Sequence, residues 1–323
     1  MQHSHEAFDR PGGFGGRRLI APLRHRDFRV LWAGMAVSLL GDGIFLIAIA
    51  WESYALWNAP AALSIVGIGM AIPTILFLIA GGIVSDRYDR RLVMMWADGV
   101  RALAVAAVKE GLRFIRKRVW LWGTLASAAV AYLLFLGPTE VLLPYVVKND
   151  LGASARTLGL VFAAGGLGAV GSAIWMGSRG QPRRDVSFIY GTWTLATLAV
   201  AGYGIATAAW QLMIACLIFN ALEAAGTIVW ATLKQQHVPS SMLGRVSSLD
   251  WLISIGLLPV SFALTAPVAA AVGVRATLAG AGILGAAVTL GALFLPGMRD
   301  IEGGRDGPKR PLEPPLPLAS RRV

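Results

Sequence analysis

The chain has 323 residues, of which 56% are apolar and only 15% are charged, and its formal net charge is +11. Soluble domains carry about 25% charged residues, so this composition excludes a soluble globular protein and indicates that lipid covers most of the surface. The basic residues lie mainly in short segments between apolar stretches, which argues against a nucleic-acid partner. One cysteine, Cys216, and four dispersed histidines exclude a disulfide framework, and they predict neither a metal site nor a cofactor.

Long apolar stretches predict membrane-spanning helices, which need about 20 residues each. A further stretch, 92–108, is shorter and carries the charge pair Asp98 and Arg101 inside the membrane. Each of these charges costs about 2.5–3.5 kcal/mol near a helix centre, and their pairing offsets part of that cost. The expected fold is therefore an all-α integral membrane protein, a polytopic bundle of eight or nine helices. The eight long stretches are 30–56, 61–84, 119–146, 157–176, 187–208, 210–233, 246–270 and 274–295.

The distribution of basic residues predicts the sidedness of these helices, because Lys and Arg near span ends favour the cytoplasm. If 92–108 does not cross, 25 basic residues lie inside and three outside. If it crosses, the count becomes 12 inside and 16 outside. The rule therefore disfavours a ninth crossing and indicates a discontinuity between Asp86 and Lys109. We expect a multi-pass protein of the inner (plasma) membrane with a cytoplasmic N terminus.

The segment after the second span has the pattern Gly-x-x-x-Asp-Arg-x-x-Arg-Arg. A glycine at a helix end permits close approach of a neighbour, and a carboxylate shortly after it suits a helix N terminus. The arginines can pair with acids on adjacent helices. This pattern predicts a latch on the cytoplasmic side, although a plain positive-inside loop has the same composition. Its residues are Gly82, Asp86, Arg87, Arg90 and Arg91.

This segment resembles the signature loop between helices two and three of the major facilitator superfamily. Further segments, in family order, are similar to its enterobactin-exporter-like branch of transmembrane secretion effectors. The family has twelve helices in two halves of six, and the resemblance implies that helices four to six have no counterpart here, with a junction near Ala107–Lys109. The similar segments are Leu23–Asp42, Lys109–Trp122, Gly137–Val146 and Val238–Pro259.

The resemblance, together with the amphipathic pattern of Lys109–Arg118 and the proline- and charge-rich composition of the tail, implies a division of the chain into five parts. These are a cytoplasmic arm (1–27), a partial N-terminal half with helices one to three (28–108), an amphipathic cytoplasmic helix (109–118), a six-helix C-terminal half (119–295) and a disordered cytoplasmic tail (296–323). The implied function is export of a small organic molecule, siderophore- or drug-like, by secondary transport, with a proton as the candidate coupling ion. The alternative is a non-transporting, internally deleted relative that is inert or binds another membrane protein. We expect no enzymatic activity.

Polar residues inside the predicted spans are candidates for a substrate cavity, because an ionisable side chain at membrane depth is costly and is retained for function. Asn220 lies three residues before Glu223, on the same helix face. For Glu52 the alternative is a position close to the outer surface. Asp250 is a further ionisable residue, early in the span 246–270, and its alternative role is a helix cap near the interface. The candidates are Asp42, Glu52, Glu140, Asn220 and Glu223.

Overall fold

The computed structural model describes residue 41 and residues 43–80 and 110–302. Every regular element in these residues is helical, which confirms the all-α prediction. Asp42, the latch motif, the stretch 92–108 and the tail from residue 303 lie outside the described residues. The helices are α1 (Gly43–Leu56), α2 (Pro60–Ala80), α3 (110–116), α4 (Val119–Tyr145, continued by a π-helix over Val146–Asp150), α5 (Ala155–Arg179), α6 (Asp185–Ile205), α7 (Ala209–His237), α8 (Ser240–Ile255), α9 (Leu258–Val272) and α10 (Val274–Leu293).

Six stretches of the described chain are long and apolar enough to cross a membrane. Helices α8 and α9 together make one of them, Ser240–Val272, while α1 and the stretch Pro60–Met70 are shorter apolar segments. The break between α8 and α9 precedes Pro259, which stands in the first turn of α9 and has no backbone N–H to continue the preceding helix. Four more crossing stretches are single helices, namely α5, α6, α7 and α10. The sixth, Val119–Asp150, is α4 with its π-helical continuation.

The helices pack side by side in the order α5, α7, α6, α10, α4, α9 and α2. Small residues allow the backbones to approach closely, as helix association in lipid requires. A Cβ on Gly204 of α6 would meet the backbone of Arg275 in α10, and a Cβ on Gly168 of α5 would meet the carbonyl of Leu217 in α7. These contacts account for some of the glycines in the apolar stretches, while a Cβ on others, such as Gly166, would meet nothing within 4 Å.

The two ends of the bundle differ in charge. Ten of the thirteen described Lys and Arg residues lie at the end where α4, α6 and α8 begin, which we call the basic end. The other three, Lys148, Arg156 and Arg275, lie at the opposite end. There, Arg275 Nε donates to Asp150 Oδ2 at 2.7 Å.

Helix α3 lies across the basic end. Its Ile115 is buried, and Glu110 Oε2 accepts a bond of 2.6 Å from Arg245 of α8. Arg113, Arg116 and Lys117 stay exposed. The helix therefore attaches to the bundle by one face and presents positive charge on the other.

Candidate functional site

A cavity of about 330 Å³ lies where α1 and α2 meet α4, α5 and α9. Glu140 of α4 is the one ionisable residue among the described residues that line it. Its apolar walls include Leu46, Ile47, Leu63, Val66, Phe162 and Phe262. As far as the described residues line it, the cavity is thus an apolar chamber with a single carboxylate.

A serine from α9 bonds to the backbone of α4 just before Glu140. The N–H of Gly137 donates to Ser261 Oγ at 2.9 Å, and that hydroxyl donates to the carbonyl oxygen of Leu133 at 2.7 Å. The hydroxyl therefore bridges two backbone groups that bond each other directly in a regular helix, an insertion that bends helices. Only glycine fits at 137, because a Cβ would lie 2.6 Å from the backbone carbonyl of Ser261. The next residue, Pro138, has no backbone N–H and therefore cannot donate the helical hydrogen bond at its own position.

Helix α1 forms one wall of the cavity and is held against the end of α4. The hydroxyl of buried Tyr54 donates to the carbonyl of Val141. The Tyr54 ring meets Tyr145 edge-on, with centroids 5.5 Å apart. Closer to the opposite end of the bundle, Lys148 Nζ lies 5.3 Å from the centroid of the Trp51 ring, within cation–π range. These contacts place α1 beside Glu140.

The structure distributes the sequence candidates over separate places. Glu52 is exposed in the last turns of α1 and is not among the residues that line the cavity. Glu223 of α7 lines a second cavity of about 40 Å³ between α4, α6, α7 and α10, and its Oε1 accepts a bond of 2.8 Å from Thr227. Asn220 donates to the carbonyl of Cys216 at 2.9 Å and packs against Gly165 of α5.

Sequence reasoning missed a polar cluster between α7 and α8. Asp250 lies well inside α8, so it does not cap that helix. Its Oδ2 accepts bonds from Lys234 Nζ and, at 3.0 Å, from Trp230 Nε1, while Ser254 donates to Oδ1 at 3.3 Å. The side chains of Lys234 and Asp250 are only 12% and 14% exposed. The spacing of Trp230 and Lys234, one turn apart, is the signal that could have indicated a shared partner.

Among the described residues, no group of His, Cys, Asp and Glu side chains is arranged to hold a metal ion. Many polar side chains of the bundle bond to each other or to the backbone, and within the described part of the chain no such bond is found for Glu140. It takes part in none of the three ion pairs found in the described residues.

Comparison with known proteins adds information on the N-terminal third. Residues 18–107 match the family model described as transmembrane secretion effector, which belongs to the major facilitator superfamily. The chain is also similar to macrolide efflux protein A of Streptococcus pyogenes, and to the protein of the same name in a serotype M6 strain. Each is 30% identical over 94 residues, which is 29% of this chain and 23% of the relative. The match thus spans less than a quarter of the relatives' length. No solved structure matches. These findings support a relationship to major facilitator transporters.

Proposed function

We propose that the chain is a secondary transporter of the major facilitator type that exports a small organic molecule through the Glu140 cavity. The supporting observation is the composition of the cavity walls. Helices α1 and α2 lie within the segment that matches the secretion-effector model, and they meet α4, α5 and α9 of the C-terminal half around Glu140. Transporters of this class bind their substrate between two halves, near the middle of the membrane.

The proposal includes an orientation. The chain lies in the inner (plasma) membrane, and its basic end faces the cytoplasm, since Lys and Arg next to span ends stay on that side. If 92–108 does not cross the membrane, the N terminus is cytoplasmic in that orientation. The motif residues Gly82, Asp86, Arg87, Arg90 and Arg91 then form the latch on the cytoplasmic side.

Flux in proteoliposomes tests the export function. The purified full chain is reconstituted, a pH gradient is imposed, and movement of a macrolide and of a catecholate siderophore is followed. The macrolide is chosen from the name of the S. pyogenes relatives. We expect gradient-dependent movement of at least one compound, which a protonophore abolishes and Glu140→Gln reduces. Absence of gradient-driven flux for a wider panel of organic compounds would reject the proposal.

The alternative is a relative that has lost helices four to six and no longer transports. Two sequence observations favour it, namely the resemblance that resumes with the central cytoplasmic helix after Ala107 and the charge conflict between Asp86 and Lys109. It predicts that inserting three helices from an intact exporter at the junction creates flux that the original chain lacks. Equal flux from the two chains would exclude it.

A further inference from the structure

We propose that the Glu140 cavity selects a lipophilic organic cation, a molecule with one positive charge on a compact apolar body. This inference names the substrate class of the proposed export function and rests on that function for the step from binding to transport. It excludes catecholate siderophores from the expected substrates, because they are polar and become anionic. It retains hydrophobic amines and quaternary cations, which are apolar and positively charged.

The first argument is the depth of the carboxylate. Glu140 lies ten residues before Asp150, the end of the membrane-crossing stretch, which corresponds to roughly 15 Å along a helix. The whole stretch of 32 residues is about 48 Å long and the hydrocarbon core only about 30 Å thick. The ends of the stretch therefore extend beyond the core, and Glu140 lies within the core, on the side of the opposite end. A carboxylate at this depth is costly unless a proton or a cation neutralises it.

The second argument is that no cationic side chain of the described residues lies beside it. The described residues that line the cavity include no Lys, Arg or His. The ion pairs of the described residues all lie elsewhere, with Lys234, Arg245 and Arg275 engaged by other acids. Because none of the described residues supplies positive charge to Glu140, a cationic ligand is favoured beside the carboxylate and an anionic one is repelled by it.

The third argument is the character of the walls. Aliphatic side chains from α1 and α2 and the rings of Phe162 and Phe262 surround the space beside Glu140. Such walls bind the apolar body of a ligand and offer few hydrogen bonds to a polar one. The volume of about 330 Å³ is at the small end of the range for organic ligands. Shape and charge together describe a compact hydrophobic cation.

Equilibrium binding of two ions with the same shape and opposite charge tests the inference. Purified full chain in detergent is titrated at neutral pH with tetraphenylphosphonium and, separately, with tetraphenylborate. We expect the cation to bind more tightly, and Glu140→Gln to weaken its affinity by about tenfold or more while leaving the anion unchanged. Glu140→Asp retains the charge and should lose less affinity. Glu52→Gln, which removes a carboxylate outside the cavity, should bind like the unmodified chain.

A second variant keeps the inference testable if Glu140→Gln does not fold, which size-exclusion chromatography would reveal. Leu46→Lys keeps Glu140 and introduces a fixed cation at an exposed position of the cavity wall, so it should also abolish cation binding. The inference is overturned if tetraphenylborate binds as tightly as tetraphenylphosphonium. It is also overturned if both folded variants bind the cation within twofold of the unmodified chain.

Flux measurements separate this inference from the proposed function. Charge-selective binding in a chain that drives no flux of any cation would overturn export and leave the cation site standing. Gradient-driven flux that neither prefers cations nor depends on Glu140 would overturn the cation site and leave export standing.

Discussion

Two glycines of α5, only two residues apart, lie in opposite environments. A Cβ on Gly168 would collide with the backbone carbonyl of Leu217 in α7, whereas a Cβ on Gly166 would meet nothing within 4 Å. The same residue type therefore has a packing role at one position and none at its neighbour. Hydrophobic patterning does not separate the two, since both stand in an apolar stretch.

We predict that Gly168→Ala lowers the stability of the bundle by roughly 1–3 kcal/mol, the usual cost of overpacking against backbone that has to move. Gly166→Ala is the matched control. It should be neutral or slightly stabilising, because alanine favours a helix by up to about 1 kcal/mol over glycine. Thermal unfolding of both variants in the same detergent, followed by tryptophan fluorescence, measures the difference. Identical unfolding temperatures would contradict the close α5–α7 contact.

A residue-scale role also follows for Ser261, whose hydroxyl bridges the backbone of Gly137 and Leu133. We predict that Ser261→Ala removes this support from α4 and displaces Glu140, one turn later. Affinity for tetraphenylphosphonium should fall about threefold or more. Thr265→Ala is the control, because the equally buried Thr265 hydroxyl bonds only within α9, to the carbonyl of Ser261. Equal losses in the two variants would point to general loosening of α9.

At the scale of elements, α7 and α8 are joined at the basic end by the Lys234–Asp250 pair. We predict that Asp250→Ala destabilises the protein by about 1–3 kcal/mol, because it leaves a mostly buried ammonium without its carboxylate. Glu110→Ala breaks the exposed pair with Arg245 and should cost at most about 1 kcal/mol. Detergent unfolding curves for the two variants provide the comparison.

The double variant Lys234→Met with Asp250→Leu is the decisive control for that prediction. Replacing both charges by apolar groups of similar size often restores or raises stability. Recovery in the double variant would assign the loss in Asp250→Ala to the orphaned ammonium. A double variant as unstable as Asp250→Ala would assign it instead to the other bonds that Asp250 accepts, from Trp230 and Ser254.

Among the elements, the C-terminal helices could be predicted closely, because hydrocarbon thickness fixes the length of an apolar span. Five of the six predicted starts fall within two residues of the observed ones. The exception is the stretch predicted to begin at 246, which begins at Ser240. Its first turns are polar, and they are helical in the structure, where Arg245 bonds to Glu110 of α3. The sequence does not show that contact between distant residues.

The candidate site could be predicted only in part. The rule that charges at membrane depth are costly singled out Glu140 and Glu223, but it contains no information on which helices surround each of them. The structure places them in different cavities, and the Asn220 side chain packs against α5. Ser261 gave no sequence signal at all, because its role depends on contact with a residue 124 positions away.

For the whole molecule, the asymmetry of charge between the two ends leads to a prediction about sidedness. Single cysteines replace Arg184 at the basic end and Arg156 at the opposite end, both exposed, in a chain whose Cys216 is changed to Ala. With the basic end in the cytoplasm, a membrane-impermeant maleimide should label Arg156→Cys in intact cells and Arg184→Cys only after lysis. The reverse pattern would place the basic residues outside, which the charge rule strongly disfavours.

The same labelling determines whether 92–108 crosses the membrane. A cysteine in the N-terminal arm, at Ala7, and one at Arg184 lie on the same side when the number of crossings between them is even, and on opposite sides when it is odd. The stretches 30–56 and 61–84, with α4 and α5, supply four crossings, so 92–108 alone decides the parity. Because a ninth crossing would put 16 basic residues outside, we expect both positions to react only after lysis. Labelling of Ala7→Cys and Arg184→Cys on opposite sides would show that the hydrophobic drive of 92–108 outweighs the charge distribution that follows it.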